Sequence, residues 1–162
     1  MPEKPTCQLA ALMQEDEQRA RLQRDRHRAI LNAAVDEHHG EILQYYGDGT
    51  LTIFSSAVEA VQCAVQVQLS LKEEDLIPLR IGVHTGDIVR DQDGVYGDGV
   101  NVASRIEGLA APGGVMISGK VFDEIKNHPQ RGIRTCEGGG WERHPVGRAG
   151  EPSTGLATVG GR

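Results

Sequence analysis

Between Ala11 and His39 the chain contains neither Gly nor Pro, and its apolar residues are thinly spread among Arg, Glu, Asp and Gln. Leu12, Ala20, Leu22, Ile30, Leu31 and Ala34 form a partial stripe, which predicts a long helix stopped at Gly40. Next come two short β-prone runs, "EILQYY" and "TLTIFS", on either side of a Gly-Asp-Gly break. That pattern predicts a hairpin. In "SAVEAVQCAVQVQLSLK" the residues Val58, Val61, Ala64, Val65 and Leu69 recur at helical spacing, so a second amphipathic helix follows. "LRIGVHTGDIVR" reads as a strand, with Ile81, Val83 and Thr85 alternating against Gly82, His84 and Gly86. Val102, Ala103, Ile106, Leu109 and Ala110 mark one face of a third helix, ended by the turn at Ala111 to Gly114. "VMIS" is then a short strand and "KVFDEIKN" a last helix.

Residues 11–127 therefore predict one α+β domain, with helices packed on an antiparallel or mixed sheet. Residues 1–10 are expected to be disordered. The same holds for 128–162, where Gly, Arg and Pro dominate and isolated apolar residues follow no period. Such a stretch buries too little surface to offset its ordering entropy.

Charge and composition narrow the function. A net charge of −6 argues against nucleic acid as the main partner, though a small anionic ligand needs only local positive groups. Cys7, Cys63 and Cys136 are too widely spaced for a zinc motif or a disulfide framework, which fits a reducing, cytoplasmic setting. No apolar run approaches the ~20 residues of a membrane span.

The tetrapeptide YGDG occurs twice, from Tyr46 and from Tyr96, with different sequels. The first copy joins two strands. Asp48-Gly49 there suits a tight turn, and Asp48 equally suits a hard oxygen ligand for Mg²⁺ at a sheet end. The second copy leads into a helix that Asp98 is placed to cap. Just inside that helix, Asn101 and Arg105 lie four apart and share a face. They suit a ribose and a phosphoryl group, or else a solvated amide beside an Arg paired to a nearby Glu.

Other motifs carry less. "GVMISGKV" nearly spells a phosphate-binding loop, but Val-Met-Ile is a strand core and Val121 stands where a hydroxyl should meet Mg²⁺. His38 and His39 lack the spacing of a helical metal pair, and His84 on its strand suits packing or an interface. The Arg residues from Arg19 to Arg28, with Asp25 among them and the acids Glu15 to Glu17 before them, read as a solvated helix face.

Taken together and in order, "ALMQEDEQRA…RHRAIL", "GEILQYYGDGTLTIFSSAVEAVQCAVQVQ", "PLRIGVHTGDIV" and "VYGDGVNVASRIEGLAAPGGVMIS" resemble the class III adenylyl/guanylyl cyclase catalytic domain. The resemblance implies a ferredoxin-like α+β sandwich acting as a homodimer, or as a heterodimer with another cyclase domain, with active sites between subunits. It implies Mg²⁺ or Mn²⁺ held by two aspartates, and ATP or GTP as substrate with ATP ahead. It places Asp48 at the second metal aspartate, Arg105 at the arginine that stabilises the transition state from the opposite subunit, and Asn101 at its ribose-orienting companion. It places Gln44 where adenylyl cyclases carry a base-selecting lysine, and Asp93 one residue from that lysine's acidic partner.

The chain also departs from that pattern. The first metal aspartate position falls at Pro5, and the first strand is missing. The strands and the triphosphate-binding lysine expected after residue 127 are replaced by the Gly/Arg-rich tail. With one carboxylate in place of two, metal binding is expected to be weak and a homodimer impaired. The alternative is a non-catalytic module that lends Asn101 and Arg105 to a complete partner.

Overall fold

The computed structural model describes residues 6–46, 49–74, 76, 78–128 and 153–161; at 6–14, 46 and 153–161 it describes the backbone alone. The chain opens with helix α1 (Thr6–Glu37), so the disorder expected of residues 1–10 does not extend to 6–10, where helix formers continue the run. No strand precedes this helix among the described residues. Ile30, Ala34 and Val35 are buried, while Ala20 and Leu22 are exposed: only the C-terminal half of α1 packs on the domain. The helix ends at Glu37, two residues before the expected stop. His39, with φ of 55°, takes the left-handed cap position, and the Gly40 N–H bonds back to the Val35 carbonyl at 2.8 Å. Gly40 is required for a different reason: a Cβ there would stand 2.5 Å from the Phe54 ring.

Strands β1 (Glu41–Tyr46) and β2 (Gly49–Phe54) pair antiparallel as the predicted hairpin. Tyr46 pairs with Gly49, so Gly47-Asp48, rather than Asp48-Gly49, are the two connecting residues. Helix α2 (Ala57–Glu73) buries Ala57, Ala60, Val61, Cys63, Ala64, Val67 and Leu71. The buried face shares Val61 and Ala64 with the predicted one but is rotated from it, and Leu69 is exposed. Burial, and then the nearby Glu37 charge, push the Cys63 thiol up to about 12. Strand β3 (Leu79–Asp87) leads into a small hairpin of β4 (Val89–Asp91) and β5 (Gly94–Tyr96), which the periodicity does not announce. Helix α3 (Asp98–Leu109), strand β6 (Val115–Ile117) and helix α4 (Gly119–Ile125) follow as expected. The residues resembling a phosphate-binding loop are β6 and the start of α4, joined by the N-cap Ser118.

One last strand corrects the tail. Strand β7 (Ser153–Gly161) lies in the segment expected to be disordered, yet it pairs on both sides within the sheet. The sheet order is β1-β2-β7-β3-β6, antiparallel at the first hairpin and parallel at the other three pairings. A strand paired on both sides lies inside the sheet, and the nine residues STGLATVGG carry no charge and no strict polar alternation. That is the physical reason a scan for alternation passes over it.

Both faces of β3 are covered. Ile81 and Val83 join α1, α2 and α4 in the main core, where Phe54, Val61, Val67, Leu71, Val121 and Ile125 meet. Gly82 faces α3, and a Cβ there would lie 2.4 Å from the Glu107 backbone nitrogen. Gly86 and Gly99 meet in the same way, with 2.8 Å from an added Cβ at 86 to the Gly99 Cα. On the core side, Gln68 of α2 donates to the carbonyls of Leu79 and Gly114 at 2.8 and 3.1 Å, tying the helix to β3 and the turn before β6. No helix among the described residues is long and apolar enough to cross a membrane.

Two alanine substitutions should therefore have opposite signs. Gly82→Ala is expected to lower unfolding free energy by ~1–3 kcal/mol, because neither backbone can give way. Gly108→Ala, in the last turn of α3 with open space around an added Cβ, should raise it by up to ~1 kcal/mol. Urea unfolding of both variants checks this; equal midpoints would remove the close α3–β3 approach.

Candidate functional site

Helix α3 is held by its small residues. Gly99, Ala103 and Glu107 are its buried positions, spaced four apart along the line facing β3. Glu107 forms an ion pair with Arg80 of β3 at 3.1 Å, where the carboxylate is almost fully buried. Asn101 and Arg105 follow from this seating. They lie off the buried line, both exposed, and neither makes a side-chain hydrogen bond or ion pair among the described residues. The reading of Arg105 as partner to a nearby Glu is therefore not what the structure shows: Glu107 is turned to Arg80. Asp98 does not cap the helix. Gly97 is the N-cap, no side chain bonds there, and Asp98 is the first helical residue, where its charge still favours the positive helix end.

A second group of residues gathers between β1 and the β4-β5 hairpin. Glu41, Ile42, Leu43, Arg90, Asp91, Gly94 and Val95 line an open cleft of about 270 Å³. Gln44 and Asp93 are exposed and adjoin this lining, next in chain to Leu43 and Gly94. A register shift between Ile42 and Gln44 bulges β1 at this point. Arg90 pairs with Glu41 at 2.7 Å and fastens the hairpin to the β1 edge. Asp91 organises the hairpin tip, accepting from the Tyr96 hydroxyl and from the Asp93 backbone N–H at 2.8 Å. These bonds, the Tyr96 one foremost, hold the Asp91 carboxyl below the usual carboxylate range. Behind the cleft, Arg28 sits 4.6 Å from the Tyr45 ring centroid, and the Tyr45 hydroxyl donates to Asn32 at 2.9 Å. Both contacts fix α1 against β1.

Sequence inspection missed Glu41, Arg90 and Asp91. The available signal was the Asp-Gly turn at 93–94 between β-prone residues, which announces the hairpin. The predicted residues fall into two separate sets, Gln44 with Asp93 beside the cleft and Asn101 with Arg105 on α3; no α3 residue is among those lining the cleft. Asp48 lies outside the described residues, as does Pro5. Among the described residues no three His, Cys, Asp or Glu side chains gather closely enough to hold a metal. The strand at the sheet centre contributes no carboxylate, because 153–161 contains none. Among the described residues the donor set does not fit a two-ion centre.

His84, on the α3 side of β3, is buried, and its Nδ1 has no hydrogen-bond partner. Burial first, and Lys120 second, press its pKa below the usual 6.5, while Asp98 acts in the opposite sense. The unfolded chain then takes up this proton before the folded one. Stability from neutral His84 is complete above pH 6.5 and is lost as the pH falls below that value. Unfolding midpoints across pH 7.5–5.0 should fall more steeply for the parent than for His84→Gln, and parallel profiles would contradict this account.

Comparison with known proteins bears on these residues. The family model of the adenylate and guanylate cyclase catalytic domain matches residues 27–142. Over 122 residues the chain is 42% identical to a Rhizobium meliloti (strain 1021) protein named "Putative adenylate cyclase 3", covering 70% of this chain and 21% of that protein. It is 30% identical over 122 residues to the human guanylate cyclase soluble subunit beta-2, covering 67% of this chain and 19% of that protein. The chain thus spans about a fifth of the length of these two curated relatives. The crystal structure of an adenylate/guanylate cyclase/hydrolase from Silicibacter pomeroyi superposes with a TM-score of 0.61 at 27% identity, covering 78% of this chain and 81% of that one.

Proposed function

The chain belongs to the adenylate and guanylate cyclase catalytic-domain family, and from that premise we propose that it is a nucleotide cyclase domain built to complete its active site across a dimer. The substrate class is a nucleoside triphosphate, with ATP ahead of GTP. The observation that carries this reading is the state of Asn101 and Arg105: exposed, unpaired among the described residues, four apart, and carried on a helix seated backbone-to-backbone on β3. An arginine left without an internal partner on a rigid support is available to an anion brought by another subunit.

In the reaction the ribose 3′-oxygen loses its proton and bonds to the α-phosphorus, while the bond from that phosphorus to the β-bridging oxygen breaks and pyrophosphate departs. Asn101 holds the ribose through its amide. Arg105 offsets the negative charge that builds on the phosphoryl oxygens, a role worth about 10³–10⁵ in rate where an arginine enters from a second subunit. Gln44 and Asp93, beside the β1–hairpin cleft, offer donors and acceptors to a purine edge. Mg²⁺ or Mn²⁺ supplies charge neutralisation when bound, and Asp48 is this chain's contribution to holding it. With Pro5 standing at the first metal aspartate position, a homodimer is expected to be impaired. The partner-free Asn101 and Arg105 equally favour the second reading, a module that supplies these two residues to a complete cyclase subunit and turns nothing over alone.

Mixing decides between them. Incubated alone with Mg²⁺ or Mn²⁺ and ATP or GTP, the chain should give low but measurable cyclic nucleotide if it is an impaired enzyme, and none if it is a lending module. Mixed with a cyclase subunit whose own transition-state arginine is replaced by Ala, it should restore turnover. Arg105→Ala here should abolish that rescue by about 10³-fold or more, and Asn101→Ala should cut it by about 10²-fold. Failure of rescue by the unmodified chain, together with no product alone, would end both readings.

A further inference from the structure

The residues matched by the cyclase family model, 27–142, do not make a continuous sheet. They supply β1-β2 and β3-β6, two pairs separated by one strand width, and the strand between them comes from outside the match at 153–161. Without it, Leu51–Phe54 and Leu79–Asp87 would turn two unpaired backbone edges toward one another inside a domain covered on both faces. We propose that the slot between β2 and β3 is a peptide-binding site for an uncharged, extended segment, filled in this chain by its own residues 153–161.

The register shows which chemistry the slot accepts. β7 pairs with β3 over nine residues, Ser153 to Gly161 against Leu79 to Asp87, and with β2 over four, Leu156 to Val159 against Leu51 to Phe54. Parallel neighbours in register share a face. Gly155, Ala157 and Val159 are thus level with Ile81, Val83 and Thr85, on the side of α1 and α2, where Thr52 and Phe54 also lie. Leu156 is level with Gly82, so the largest donor residue falls beside the smallest acceptor residue. Glu151 and Arg162 bracket the segment, leaving the charges at its ends. Twenty-four residues, 129–152, lie in the chain between the turn after α4 and β7. Strand addition of this kind draws its affinity from main-chain bonds and its selectivity from alternate side chains.

This proposal rests on strand pairing and not on nucleotide chemistry, so it stands or falls apart from the cyclase reading. A site-specific protease sequence placed within 129–152 of the full chain permits a native cut. After cleavage the C-terminal fragment is expected to co-elute with the domain in gel filtration. A fluorescent peptide of residues 151–162, in 100-fold excess, should exchange into it with a saturable rise in anisotropy. The same peptide carrying Leu156→Pro should bind at least 10-fold more weakly, because proline removes a ladder donor. In the uncut chain Leu156→Pro should lower the urea midpoint. The proposal is overturned if the cut fragment elutes alone while the domain keeps its midpoint, if both peptides bind equally, or if Leu156→Pro leaves the intact chain as stable as before.

Discussion

Close approach of the α3 backbone to the β3 backbone at their glycine positions governs how α3 is seated. Gly82, Gly86 and Gly99 leave no room for a Cβ, and Ala103 follows the same line. A helix seated this closely cannot roll, since rotation would drive larger residues into the strand. The buried Glu107–Arg80 pair adds a directional tie at the C-terminal half of the helix. Asn101 and Arg105 are carried on this firmly seated helix, and neither side chain is bonded among the described residues. A rigid base under a free tip is what a group serving another subunit requires, because the ordering cost of the support has been met in folding.

The site is divided by the same geometry. The cleft beside Gln44 and Asp93 is walled by β1 and the β4-β5 hairpin, locked together by Arg90 and Glu41, while the α3 pair is not part of it. A monomer therefore presents two partial surfaces of complementary character, one hydrogen-bonding cleft and one cationic helix edge. Phosphoryl transfer depends chiefly on charge placed in position.

The sheet shows how backbone accounting can override composition. Two hydrogen-bonding edges facing each other across a covered interior must be satisfied, and the chain meets that need with nine uncharged residues far downstream. The same residues, taken alone, have too little apolar surface to order themselves. Their order is conferred by the slot and not by their own propensity.

Periodicity and turn chemistry in the sequence already determined the helices, the first hairpin, β3, β6 and the pairing of Asn101 with Arg105 on one helix face, because these depend on residues within a few positions of one another. The family resemblance was legible too, since it rests on local motifs in order. Tertiary structure decided what local patterns leave open: that α2 buries Cys63 and exposes Leu69, that Glu107 turns to Arg80 and leaves Arg105 free of it, and that Gly97, not Asp98, is the cap of α3. It also decided that 153–161 is a central strand. Its partners lie roughly 70 to 100 residues away in the chain, and only the assembled sheet, with a gap one strand wide, specifies what must fill it.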